Sequence, residues 1–110
     1  MPKMYPGKAN SPSTTLTDGI NDISTVIVVA DASVLPAAPN LATLGSDQDA
    51  ETILYAAITG NTLSDVMRGF QGTAKAWPIG APVARLFTEY DYKALSENIR
   101  DLEIMQLLGG

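Results

Sequence analysis

Two β-rich runs, ETILYAAIT and TLSDVMRG, meet at a single Gly60-Asn61 pair, and nothing else in the chain limits its fold so strongly. β-Branched and aromatic residues fit a pleated, half-buried surface. A Gly-Asn pair can supply the φ > 0 conformations of a tight two-residue turn. The pair predicts an antiparallel hairpin with Thr59 facing Thr62, Ile58 facing Leu63 and Leu54 facing Met67. In that register Asp65 stands opposite Ala56, on the face of Leu54, Ile58, Leu63 and Met67. A carboxylate is not buried unpaired without a large penalty. A bulge at Ser64-Asp65, or an open edge that lets Asp65 reach solvent, is therefore expected.

The other segments supply further strands. ISTVIVVADAS, Ile23 to Ser33, reads as a strand buried on both faces, because its apolar run does not alternate. LATLG is a short strand or turn, GSDQDAE a polar loop, and Gly69 and Gly72 bracket a turn before a returning strand, Ala81 to Phe87. Pro78 and Pro82 argue against sheet interior until Val83. Residues 1–15 carry Pro2, Pro6, Gly7 and Pro12, so they form an extended arm. Met4 and Tyr5 in that arm are candidate contacts with a neighbouring subunit.

After Phe87 the period changes. Thr88 followed by Asp91 is a capping box with a shortened acid. Tyr92, Leu95, Ile99 and Leu102 then recur at three-four-three spacing, Glu89 and Lys93 form an i,i+4 pair, and Gly109-Gly110 closes a helix of about twenty residues. An apolar stripe on so short a helix is marginal in water without a partner. The fold expected is mainly β with a C-terminal α-helix: a small β-sandwich or barrel-like domain with an extended N-terminal arm. Its parts are the arm (1–15), the β-rich domain (16–87) and a helix for packing or oligomerisation (88–110).

Composition removes several kinds of chemistry. Among 110 residues there is no cysteine and no histidine, which excludes disulfides, thiolate metal sites and Ser-His-Asp or Cys-His catalysis. Twelve acidic residues face seven basic ones without a basic cluster, so nucleic-acid binding is not expected. No stretch approaches the ~18 apolar residues of a membrane span, and the first residues lack the apolar core of a signal peptide. A protein kept soluble in a cytoplasm, without membrane insertion, is expected. Charge is segregated: Ala9 to Met67 holds seven carboxylates and no lysine or arginine, whereas Arg68, Lys75 and Arg85 follow without an acid before Thr88. Such asymmetry either favours one docking orientation or is intermixed by folding.

Three stretches invite a binding site. GFQGT has two residues between its glycines where a phosphate-binding Walker loop has four, so it reads as a turn. Asp47, Asp49 and Glu51 alternate like calcium ligands but lack the glycine and distal glutamate of an EF-hand loop, so a solvated acidic loop is expected. Trp77 either plugs a small core or anchors an interface. No catalytic, cofactor-binding or metal-ligating residue is assigned, and no enzyme is expected. The candidate interface residues are Met4, Tyr5, Trp77, Tyr92, Leu95, Ile99 and Leu102; the structural turns are Gly60, Asn61, Gly69 and Gly72.

Taken together, Glu51, Ile53, Tyr55, Gly60 to Leu63, Val66, Arg68, Gly69, Gly72, Thr73, Gly80 and Val83 resemble a β-rich module recurrent in structural proteins of tailed bacteriophages. The upstream TTLTDGINDISTVIVVADASVLP is similar to the segment that precedes that module, and the resemblance covers about residues 13–87. It departs from the pattern at Asp65, where glycine is common, and at Trp77-Pro78. What the resemblance implies is a non-enzymatic virion protein, tail-tip or baseplate-associated, that docks a fibre or neighbouring subunits. Its partners would be other virion proteins and further copies of itself, as a homo-oligomer such as a trimer, assembled in the bacterial cytoplasm. Receptor recognition is not expected, since no fibre shaft follows the helix. A capsid decoration protein is the alternative. A carbohydrate-binding module is a second one, which would need exposed aromatics among Trp77, Tyr5, Tyr55, Tyr90 and Tyr92.

Overall fold

A computed structural model describes residues 2–109, with side chains described for residues 2–100. The strands are β1 (Ser13–Thr15), β2 (Ile27–Val28), β3 (Asn40–Leu44), β4 (Glu51–Thr59), β5 (Thr62–Gln71) and β6 (Pro82–Ala84), followed by α1 (Glu89–Gly109). They form one antiparallel sheet in the order β1-β6-β3-β4-β5-β2. The sheet curls into a half-barrel whose two edges meet, because Leu16 bridges Val29, Thr17 N donates to Val28 O and Ala30 N donates to Thr15 O. The expected class, mainly β with a C-terminal helix, is the one observed. The barrel-like alternative is the form it takes.

The hairpin has the expected register, with Thr59 opposite Thr62, Ile58 opposite Leu63 and Leu54 opposite Met67. Only Gly60 of the turn is left-handed, at φ 58°. Asn61 contributes its side chain instead: Oδ1 accepts from Ala32 N at 2.9 Å and Nδ2 donates to Ala30 O at 3.2 Å. The irregularity foreseen at Asp65 is present, but its consequence differs from a one-face arrangement. Asp65 adopts φ 49° and is exposed, and its pairing with Ala56 is interrupted without a change of register. The interruption breaks alternation, so Leu63 and Val66 are both buried while Met67 turns outward. The register shifts further on, where Thr52 pairs with Gln71, around Gly69 at φ 61°.

Ile23 to Ser33 is not a long strand buried on both faces. Only Ile27 and Val28 lie in β2; Ile23 and Val26 are 75% and 55% exposed, whereas Ile27 and Val29 are buried. The segment alternates like any strand with one wet face, and Asp31 ends it by capping a 3-10 turn, Ala32–Val34, through a bond from Ser33 N. The strand buried on both faces is instead β3, buried at all five residues. Leu16, Ile27, Val29, Leu35, Leu44, Ile53, Tyr55, Leu63, Val66 and Val83 make the core. The Tyr55 hydroxyl donates to Pro36 O at 2.7 Å, and burial pushes this phenol well above its ordinary pKa.

Residues 13–15 of the arm are part of the sheet, as β1 against β6. The capping box forms as expected: Asp91 N donates to Thr88 Oγ1 at 3.1 Å, and Thr88 N donates to Asp91 Oδ2 at 2.9 Å. The Glu89–Lys93 pair spans 3.1 Å. α1 runs through Gly109, and Gly110 lies outside the described residues. The molecule is elongated, 55 × 26 × 24 Å.

Candidate functional site

Two buried arginines organise the features that the sequence singled out. The first is Arg68, at the end of the hairpin. Its Nε and Nη2 grip Glu51 at 2.7 and 2.8 Å, Nη1 donates to Asn21 O and Ser24 O, and Nη2 also donates to Lys75 O. All five guanidinium N–H groups are thereby used. Glu51, 0% exposed, also accepts from Gly69 N at 2.9 Å, Lys75 N at 3.2 Å and Trp77 Nε1 at 3.0 Å. Burial pushes its carboxyl up, but the bonds from Arg68, Gly69, Trp77 and Lys75 outweigh it and hold the group below its ordinary pKa. Glu51 is thus the buried first residue of β4 and not part of a solvated acidic loop. Asp47 and Asp49 are exposed, as expected, with Asp49 N donating to Asp47 Oδ1.

The glycines of the RGFQGT stretch serve this node. Gly72 has φ 76°, and a Cβ there would come within 2.7 Å of Ala50 O. Trp77 closes the node from outside. Its ring packs on Gly45, its main chain bridges Ile20, and Lys75 Nζ lies 4.4 Å from its centroid. The indole is half-buried against its own core, with its N–H committed to Glu51.

The second arginine, Arg85, joins the two ends of the chain. Nη1 and Nη2 each meet Asp91 at 2.7 Å, Nε donates to Asn40 Oδ1 at 2.7 Å, and the remaining N–H groups reach Leu86 O and Tyr5 O. Asp91 is buried, which pushes its pKa up; Arg85 and Thr88 overcome this and set it below the ordinary value. Asn40 Nδ2 donates to Pro6 O at 2.9 Å. The arm therefore lies on its own β3, Arg85 and α1, where the sequence left open a course over a neighbouring subunit.

Around this second node lies an exposed apolar surface, and Ile23, Val26, Met67 and Ile79 are exposed as well. Met4, Leu86, Phe87, Tyr92, Leu95 and Ile99 are all exposed, and Met4, Phe87 and Leu95 share a cleft of about 420 Å³ with Tyr5 and Arg85. Tyr5 is half-buried, its ring 5.9 Å from that of Tyr90, which in turn meets Phe70 edge-on at 5.1 Å. The structure thus brings Met4, Tyr5, Tyr92, Leu95 and Ile99 to one end of the molecule and leaves Trp77 with the Glu51 node. Leu102 lies outside the residues whose side chains are described. Of the aromatics weighed for a glycan, Tyr55 is fully buried.

Glu51, Asn40, Arg85 and Asp91 were not singled out as site residues from the sequence. Phase was the available signal. Glu51 shares the parity of buried Ile53 and Tyr55, and Arg85 that of buried Val83. Among the described residues no group of three or more carboxylates, histidines or cysteines is placed to hold a metal, and no helix is long and apolar enough to cross a membrane. No protein-family model matches the chain, and no curated protein matches it at a significant level.

Proposed function

We propose that the chain is a non-enzymatic structural protein of a bacteriophage virion, a tail-tip or baseplate-associated adaptor that docks a fibre or neighbouring subunits as a homo-oligomer. One observation carries the reading beyond the resemblance itself. The motif residues Glu51, Ile53, Tyr55, Arg68 and Gly69 are consumed in the core or in a saturated hydrogen-bond node, and Gly72 in a close main-chain approach to Ala50. Residues used this way specify a shape and leave chemistry and recognition to other surfaces. The surface this reading assigns to docking is the exposed apolar end, where Tyr92, Leu95 and Ile99 line one side of α1 beside Phe87 and Met4. Contiguous exposed apolar surface of this kind marks interaction sites.

The test is labelling of intact virions with a Fab that binds the native protein, viewed by electron microscopy, with mass spectrometry of the same particles. Label at the tail end is expected. Label spread over the head would replace the adaptor by a capsid decoration protein. Particles that lack the protein by mass spectrometry would refute a virion role altogether.

A further inference from the structure

The arm is held by its main chain. Along residues 2–6 the acceptors are the carbonyls of Pro2, Lys3, Tyr5 and Pro6; the donors are Asn98 Nδ2, Tyr90 Oη, Arg85 Nη2 and Asn40 Nδ2. Three of these donors sit on β3 or α1, and Arg85 directly follows β6, so together they form a track for an extended peptide. Only the Tyr5 ring adds a marked side-chain contact, against Tyr90, while Met4 is 46% exposed. A track that reads carbonyls accepts this segment whichever copy of the chain it comes from.

The connection to β1 is poorly suited to folding back. Gly7 to Asn10 are exposed, and a Cβ at Gly7 would meet nothing within 4 Å. The reversal is made by Asn10 at φ 63° and Ser11 at φ 43°, closed by Ser11 N donating to Lys8 O at 2.9 Å. Two successive non-glycine residues in the left-handed region are unfavourable, and an extended connection relieves both. When the same contacts form in either arrangement, hinge strain and association decide between them, and a strained short hinge favours exchange. Extended, residues 7–12 span about 20 Å, enough to carry the arm off its own body.

We propose that the arm is exchanged between copies: residues 2–6 of one chain occupy the track formed by Asn40, Arg85, Tyr90 and Asn98 of a second copy, with residues 7–12 as the hinge. The exchange rests on the homo-oligomer part of the proposed function and is independent of where in a virion the protein sits.

The chain has no cysteine, so an introduced pair reports without background. Met4 and Leu95 line the same cleft. Full-length Met4→Cys and Leu95→Cys chains are mixed at high concentration and treated with a short bis-maleimide. Exchange yields the Met4→Cys/Leu95→Cys heterodimer in several-fold excess over either homodimer, and the yield falls on dilution before treatment. The idea is lost if the mixture gives no heterodimer excess while the double variant cross-links within one chain. Deleting Lys8, Ala9 and Asn10 removes the fold-back without touching the track. The native mass of that variant is expected to be at least twice that of one chain. A folded monomer, seen by light scattering, would overturn the proposal. A virion that carries no label leaves both results unchanged, so the two readings fail separately.

Discussion

The Glu51–Arg68 and Asp91–Arg85 nodes are built alike and hold different things together. In each, a buried guanidinium grips one carboxylate with two bonds and spends its remaining donors on carbonyl oxygens. Around Glu51 those acceptors are main-chain groups of Asn21, Ser24 and Lys75, so the node fixes loops to the wall of the sheet. Around Asp91 they include Tyr5 O and Asn40 Oδ1, so the node fixes the arm and the helix to the sheet. The first sets the shape of the body and the second its attachments. Burying a charge pair is weak evidence of net stabilisation, but removing one member leaves the other uncompensated. The two nodes should therefore fail in different ways.

The largest effect is expected from Glu51→Gln, which keeps the shape and strands the Arg68 charge in a buried setting. It should cost about 3–5 kcal/mol in urea unfolding. Asp91→Asn should shift the global midpoint less and act locally, raising amide exchange in α1 and residues 2–6 while the hairpin stays protected. If both variants lose protection everywhere equally, the division between body and attachments is wrong.

Acid sharpens the comparison. Both carboxylates have folded pKa values below their ordinary 4.5 and 3.8. Each contributes stability that is complete above its ordinary pKa and is lost as pH falls through the lowered folded value. The urea midpoint should hold from neutrality to about pH 4.5 and then fall, and Glu51→Gln should flatten much of that slope. A decline already under way at pH 6 would contradict this assignment.

Trp77→Phe removes one donor to a buried carboxylate together with the outer ring edge that packs on Gly45, at a cost of at least about 2 kcal/mol, read from the same urea curves. A neutral result would show that the indole N–H adds little to the Glu51 node. Smallest of all, Lys93→Ala breaks an exposed pair and should change stability by less than about 0.5 kcal/mol.

The register of the hairpin was legible because a two-residue turn and period-two pairing are local. The capping box was legible for the same reason: Thr88 and Asp91 meet within one helical turn. Between Ile23 and Ser33 the apolar composition of both faces hid the alternation, and exposed Val26 cannot be told from buried Ile27 by residue type. Glu51 was misread because an acid beside Asp47 and Asp49 suggests solvent. Its partner Arg68 and its donors Lys75 and Trp77 arrive only when the sheet folds. The placement of the arm on Asn40, Arg85, Tyr90 and Asn98 depends on contacts across almost the whole chain, beyond the reach of spacing or period.

Asp91 closes the cap of α1 and is clamped by Arg85 in the same turn. The helix is thereby aimed as well as started. A helix of twenty-one residues is about 31 Å long, so a rotation of about 10° at its base carries the far end about 5 Å. A guanidinium and a carboxylate at the foot of α1 thus act as the pivot of a pointer, and angular error at that pivot is magnified at the tip.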